Sequence, residues 1–594
     1  MTVGRSVALA RQATWLVLAV PLAAALAYQG RSRAILVGDP SPMMLRAAQV
    51  GTHQTPLVGS YSTHGWAHPG PAIFWLSAPL ARLLPGSPLA MSITALVIAG
   101  ISIAGIAWAT SGGPLTTALA PTAAVVVAFT VLALRGDRLV TVWNPLLPLL
   151  PLLFVCFAAW RTAGGDHRWA IPTLAVGALV AQAHIAMIPL IALVVAWLLA
   201  WVLQVRPWLE GRRSTVDGPA GVTAPRLRDL GPGTFGRSFA IGSAVAGAMW
   251  LPTLLDEAFG TGNLLRSVHR LGISKAPKVG FGDALGIVAR YGRPGGSWMG
   301  AATPLRNFSV ATAPAWTAIA FLVALAVVTV ALARRGEVAA TAGASLALLL
   351  SLAAIPLAAR VEYPVYEYLV AWLIPIAAFS WCALAVGVWR LVHHLAPRPV
   401  PVAATVAGIA VVIGASAWCT RTSVVDVPAF GLESRAVTTM AERLDAKLPH
   451  HRPVHLEVRG DHDGHILATL VPMLLRKGLD VRTSDGEVGQ KYGPDAEWND
   501  GDPKADGVYT VTVTFSGSLR GLAEACRKAP DTTLVSRFDE LGATRRRWLT
   551  GYLLDRTFHG LHPTPAQGAR AGRLARHDLA IEVFHGPVPC APLP

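Results

Sequence analysis

A polytopic α-helical membrane protein, with about eleven transmembrane helices and a C-terminal extracytoplasmic α/β domain, is what the sequence predicts, and three observations predict it. Of its 594 residues, 53% are hydrophobic and only 14% charged, with a mean hydropathy of +0.48; soluble domains carry about 25% charged residues. Apolar segments recur throughout the first 419 residues, each near the roughly 20 residues that cross a bilayer. Beyond Cys419 the pattern changes to amphipathic and alternating stretches.

The first apolar segment, "ATWLVLAVPLAAALAYQG" after Arg11, has the charged lead and small residues of a signal peptide. Further apolar segments follow, so it reads as a retained first helix with a cytoplasmic N-terminus. Candidate spans lie near 12–29, 71–85, 88–110, 114–134, 145–160, 169–184, 186–204, 238–254, 308–333, 338–357, 368–390 and 401–419. Orientation follows from Arg5 and Arg11, from Arg212, Arg213, Arg226 and Arg228, from Arg334 and Arg335, and from Arg390, His393, His394 and Arg398, all cytoplasmic by the positive-inside rule. That places the loop after Leu254, the turn from Arg360 to Tyr368 and everything after Cys419 outside, in the plasma-membrane setting of a multi-pass chain. With Arg161 and Arg168 cytoplasmic, the turns at 142–145 and 182–184 also lie outside. Twelve crossings would return the C-terminus to the cytoplasm, so one segment between 71 and 134 is expected to be re-entrant, half-length or fused with its neighbour.

The expected organisation is a transmembrane domain over 1–419, holding a first extracytoplasmic loop at 30–70, a cytoplasmic linker at 205–237 and a large extracytoplasmic loop at 255–307, followed by the α/β domain at 420–594. The net charge of +16 does not indicate nucleic acid, because the basic residues sit in loops between apolar segments and serve topology. In the C-terminal part "SRAVTTMAERLDAKL" and "ILATLVPMLLRKG" read as helices, the second ended by Gly478, and "VHLEV", "VYTVTVTF" and "LAIEVF" as strands. Cys526 and Cys590 are the only cysteines there, a disulfide candidate outside the cell, with two unpaired thiols the alternative. Cys156, Cys382 and Cys419 lie in or beside apolar segments and read as packing residues.

Candidate chemistry concentrates in the first loop, "VGDPSPMMLRAAQVGTHQTPLVGSYSTHGWAHPGP", Val37 to Pro71. Asp39 follows the first helix by about ten residues, and an acid at the membrane surface can take the proton of an acceptor hydroxyl during sugar transfer. The same residue could instead cap a helix or close a turn, as "DPSP" also allows. The acid after helix one, the amphipathic "MLRAAQVG", the "YS..G..HPGP" lead into the next helix and the C-terminal α/β part resemble the polytopic GT-C superfamily of membrane glycosyltransferases. The likeness is to a divergent actinobacterial branch, distantly similar to protein O-mannosyltransferases, aminoarabinose transferases and arabinosyltransferases. Many of those families carry paired acids in this loop; here there is one, and Asp256, Glu257, Glu362 or Glu367 would have to supply a second.

The resemblance implies transfer of a sugar from a polyprenyl-phosphate donor to a glycan, lipid or protein acceptor of the cell envelope, with Asp39 as general base. Tyr61, His64 and His68 are expected to line a sugar pocket. Asn144, Gln182 and His184, polar at membrane depth, would face a cavity or a neighbouring helix. Arg266 and Arg270, four apart on one helical face, are expected to clamp the donor phosphate, anionic lipid headgroups being the other partner such cations would take. Arg360 is expected to line the lipid-side groove with Tyr363, Tyr366 and Tyr368. No cofactor motif is present; the one metal reading is a divalent cation on Asp39 with His53, His64 and His68, whose spacings of eleven and four match no zinc or calcium pattern. A Walker A sequence, a nucleophile elbow and a dinucleotide fingerprint are all missing, which argues against an ATP-driven pump. A lipid-linked-sugar flippase and a non-catalytic envelope assembly protein are the competing readings.

Overall fold

The computed structural model of the chain describes residues 14–32, 35–62, 66–112, 115–217, 234–300, 312–363, 365–395, 402–425, 431–459, 464–484, 491–498, 507–515, 521–558 and 564–588. His64 and Cys590 lie outside them. Each of the twelve apolar segments contains a helix, and seven helices are long and apolar enough to cross a membrane.

Helix α1 (Ala19–Ser32) is followed by the short amphipathic α2 (Pro40–Gln49), a two-residue ribbon of β1 (Tyr61–Ser62) and β2 (Trp66–Ala67), and α3 (Ala72–Leu83). At twelve residues, α3 is about 18 Å long, well short of a hydrocarbon core. It packs on α2.

The long helices then alternate: α4 (Pro88–Thr110), α5 (Thr116–Leu139), α6 (Leu149–Ala163), α7 (Ala170–Ala183), and α8 (Met187–Ala200), which continues through a π turn into α9 (Arg206–Asp217). After residue 233 come α10 (Thr234–Phe259), the short α11 (Asn263–Ile273) and α12 (Gly280–Gly292), then α13 (Ala315–Arg334), α14 (Val338–Ala359), α15 (Glu367–Val370) leading into α16 (Leu373–Leu395), and α17 (Val402–Val425) against α5 and α1. Helix α4 shows why such sequences hold together: Ser87 caps it, and the hydroxyls of Thr94, Ser102 and Thr110 donate to carbonyls four residues back, so the polar residues are satisfied within the helix. Close approach is set by small residues. A Cβ at Gly343 of α14 would lie 2.1 Å from the Trp160 ring of α6.

Two ends of the bundle are defined by contacts. One gathers Gly112, Arg161, Asp166, Arg206, Thr234, Glu337 and Arg390, with Arg161 on Asp166 and Arg390 on Glu337. The other carries the first loop and the turns at 141–148 and 184–186.

The C-terminal part is a five-stranded mixed sheet, in spatial order β4-β3-β5-β7-β6. Around it run α18 (Gly431–Asp445), β3 (Val454–Arg459), α19 (Gly464–Arg476), β4 (Val481–Arg482), β5 (Val508–Thr514), α20 (Gly521–Lys528), β6 (Thr533–Asp539), α21 (Ala543–Phe558), α22 (Pro565–Ala575) and β7 (Ala580–Gly586). Strands β4, β3 and β5 are parallel, with α19 as the β3–β4 crossover, while β7 pairs antiparallel with both β5 and β6. Gly478, at φ 85°, ends the α19 turn in the left-handed conformation. Cys526 is buried against Phe584 and is disulfide-bonded, whereas Cys156, Cys382 and Cys419 are free and buried.

Candidate active site

The first loop is built on the C-terminal sheet unit as much as on the bundle. Gly38, at φ 74°, turns the chain into α2, and its N–H donates to the Thr469 hydroxyl of α19 at 2.9 Å in a buried bond. The Ile35 N–H donates to the Ser434 hydroxyl, the Gln49 amide to the Tyr492 carbonyl, and Leu45 belongs to the same apolar core as Ala436, Leu456 and Leu470. Arg46, on the same helix, is buried beside Gln49 and Gln54, and burial pulls its guanidinium down to about 10. His53 lies away from Asp39, at 2.9 Å from Asp495.

Asp39 heads α2, yet its side chain makes no capping bond. Its carboxylate Oδ2 instead accepts from the Trp143 indole Nε1 at 3.0 Å, across 104 residues of chain. The Trp143 ring lies 4.7 Å from Tyr368, which stacks on Tyr366 at 5.4 Å. Between these tyrosines Glu367 turns inward and is buried, taking the Tyr291 hydroxyl of α12 at 3.5 Å. Burial and the neighbouring Glu367 push the Tyr291 hydroxyl well above its ordinary range, against the pull of Arg138 and Arg290. Arg138 is itself buried at the end of α5, beyond a break at Arg135, whose φ of 61° is the one positive value among described non-glycine residues. Such strain at the end of a packed helix needs surrounding structure to hold it.

A second group lies beside it. Gln182 at the end of α7 is fully buried, its carbonyl accepts the Gly70 N–H at 3.2 Å, and a Cβ at Gly70 would stand 2.2 Å from its Oε1. Both Gln182 amide atoms are buried without a hydrogen-bond partner among the described residues. His184 and His68 are buried with ring centroids 4.6 Å apart, and the His68 Nδ1 accepts the Ile185 N–H at 3.3 Å. Asn144 is buried in the turn that carries Trp143. Met43 and Met44 of α2, Phe74 of α3, Val142 and Ala183 form one apolar cluster, so the two groups share a packing unit. Tyr61 sits on β1, opposite Ala67, the residue before His68.

The four acids considered as partners for Asp39 divide clearly. Asp256 is buried and accepts from Thr261 and from the Asn263 N–H, and Glu257 accepts the Leu264 and Leu265 N–H groups; both hold the start of α11. Glu362 lies on the 360–363 turn, whose backbone forms an isolated antiparallel β-bridge to Lys278. Glu367, adjacent to Tyr368, is the one at the Asp39 group.

Arg266 and Arg270 lie on α11, which is tied to β2 by two Asn263–Ala67 hydrogen bonds of 2.8 Å. Arg266 reaches back to the Thr261 carbonyl, and Arg270 is exposed. Leu265, Val268 and Leu271 are exposed on the same helix, so it presents apolar and cationic side chains together, as helices at a membrane interface do. Arg360 is exposed at the end of α14. Among the described residues no three His, Cys, Asp or Glu side chains are grouped to hold a metal ion, and His53, on Asp495, and His68, on His184, do not converge on Asp39.

Trp143, Thr469 and Tyr291 carry no functional signal in the sequence. Trp143 stands beside the Asn144 that drew attention, and its bond to Asp39 shows only in three dimensions.

No family model matches the chain and no curated protein does. Solved structures do. ArnT from Cupriavidus metallidurans bound to undecaprenyl phosphate is 12% identical, with a TM-score of 0.49, over 90% of this chain and 97% of that one. The same protein in the apo state gives a TM-score of 0.46 over 86% and 93%. The Archaeoglobus fulgidus oligosaccharyltransferase tethered with an acceptor peptide gives 0.43 over 96% and 88%, also at 12% identity. At 12% identity and TM-scores below 0.5 these likenesses decide nothing about the chemistry, which rests on this chain's own residues.

Proposed function

We propose that the protein is a membrane glycosyltransferase that takes a sugar from a polyprenyl-phosphate donor and transfers it to an acceptor of the cell envelope at the outer face of the plasma membrane. The observation that carries this reading is the state of Asp39. A carboxylate at the head of a helix is ordinarily spent on capping; this one makes no capping bond and accepts instead from Trp143, beside the aromatic and polar side chains at one end of an apolar bundle.

In this reading Asp39 Oδ1 accepts the proton of the acceptor hydroxyl as its oxygen bonds to the anomeric carbon. The bond from that carbon to the donor phosphate oxygen breaks, and polyprenyl phosphate departs with the electron pair. One positioned base contributes about 10²–10⁴-fold, and cations that meet the departing charge add to it. In this reading Arg266 and Arg270, on a helix suited to the interface, hold the phosphate, and Arg360 flanks the lipid. In the same reading Gln182, with an amide that no described group satisfies, reads sugar hydroxyls, and Tyr61, His64, His68, Asn144 and His184 are proposed to share that role. Glu367 supplies the second acid and the sheet unit fixes the loop. The basic end of the bundle is then cytoplasmic, which agrees with the positive-inside rule, and α3 stays at the outer surface, leaving eleven crossings.

The test is transfer from labelled polyprenyl-phosphate sugars in membranes, comparing the parent with Asp39→Asn at matched expression. Product from the parent and none from the variant supports the reading. Equal product from both removes Asp39 from the reaction, and transport without transfer, surviving Asp39→Asn, points to a flippase.

A further inference from the structure

A cavity lies at the end of the bundle opposite Asp39. It has a volume of about 430 Å³, with Leu119, Phe157 and Trp160 in its apolar wall and Arg161, His167 and Arg168 at its polar side. No part of the glycosyltransferase reading uses it.

Its electrostatics are set by backbone as well as side chains. Leu115, which precedes α5, the 166–168 turn that leads into α7, and Ala339 in the first turn of α14 all line it, so three helix N-termini open onto one space. Two C-termini oppose them, those of α4 at Gly112 and α6 at Gly164. The balance is toward positive potential. Among side chains, Arg161 is paired with Asp166 at 3.2 Å, and Arg206 touches His167 but is paired with Glu210 at 2.8 Å. Burial, with Arg206 beside it, lowers His167 from its ordinary range, so it adds no charge near neutral pH. Arg168 is exposed at the rim and has no partner among the described residues.

We infer that this cavity binds one anionic phospholipid, its phosphate at Arg168 and the convergent helix N-termini and its upper acyl carbons against Phe157, Leu119 and Trp160. An apolar floor under a cationic rim at the end of membrane helices matches an amphiphilic anion, and basic pockets between helices at such a boundary take anionic headgroups. The chain's own residues 218–233, which precede α10, hold two arginines against one aspartate and offer no anionic plug. The inference is independent of the reaction at Asp39.

The experiment uses the full chain in detergent, with native mass spectrometry counting bound phosphatidylglycerol against phosphatidylcholine of the same acyl chains, and thermal unfolding with each lipid and with inorganic phosphate. The expected result is one retained phosphatidylglycerol, weakened about tenfold by Arg168→Glu and less by Arg168→Gln. Arg576→Glu, a reversal of an exposed charge on the sheet unit, should leave it unchanged. Equal retention of both lipids, or of phosphatidylglycerol by parent and Arg168→Glu, overturns the inference. Stabilisation by inorganic phosphate equal to that by phosphatidylglycerol overturns it too, in favour of a free-phosphate site.

Discussion

Replacing Thr469 by valine tests whether the sheet unit positions the reacting carboxylate. The two side chains have nearly the same shape, and the change removes one hydroxyl that accepts the buried Gly38 N–H at 2.9 Å. A buried donor left without its partner costs about 1–3 kcal/mol, borne by the 35–39 turn, since Leu45 and Gln49 still hold α2 to the sheet unit. At that cost the turn's closed state becomes about 5- to 150-fold less favoured. A displacement of about 1 Å at a reacting group can cost about 10²-fold in rate, so Thr469→Val should lower kcat for transfer by about ten- to a hundredfold with little change in KM. Hydrogen exchange should rise in a peptide spanning residues 35–49 and not in α20 or α21. Thr469→Ser, which keeps the hydroxyl, should restore both. If exchange rises and transfer is untouched, the contact is structural only; if neither changes, the hydroxyl does not hold the turn and the reasoning fails.

Two further outcomes follow from other parts of the molecule. Gln182→Leu exchanges an amide without described partners for an apolar side chain of similar size, so thermal stability should hold or rise, by up to about 1–3 kcal/mol, while KM for the sugar donor increases; a fall in the unfolding temperature would show that the amide is satisfied in the free protein. Asp539 is held by Arg546, Arg537 and the Gly542 N–H, and although burial opposes ionisation these partners lower its carboxyl from 3.8 to about 2. A lowered folded-state value means that its contribution is present above about pH 4 and is lost as pH falls toward about 2, so acid unfolding of the sheet unit, followed by circular dichroism, should lose its dependence on pH in that window in Asp539→Asn.

What could be read in advance follows from how each feature is encoded. Apolar runs mark helices by composition alone, and each predicted segment contains one. Strand β6, "TLVSRFD", went unread because it sits at the sheet edge with Thr533, Leu534 and Arg537 exposed and breaks a clean alternation of apolar and polar residues. The Asp39 site was half legible. The acid, Asn144, Gln182 and His184 stand out because polar groups are costly at membrane depth. Trp143 and Thr469 do not, since a tryptophan near a helix end and a threonine inside "ILATLVP" are ordinary residues whose roles arise from partners 104 and 431 positions away.

That separation constrains how the site can form. The Asp39 turn has one wall from the bundle, through Trp143 and Tyr368, and one from the sheet unit, through Thr469, Ser434 and Tyr492. Neither wall alone defines where the carboxylate points: among the described residues the bundle supplies a donor to Oδ2 but no hold on Gly38, and the sheet unit holds Gly38 but bonds no oxygen of the acid. A bundle inserted without a folded sheet unit would leave α2 with its Leu45 face unburied and the 35–39 turn unpinned. Ordering of the Asp39 carboxylate therefore has to wait for the last 170 or so residues to fold on the first loop, which makes the sheet unit part of the candidate site rather than an appendage to it.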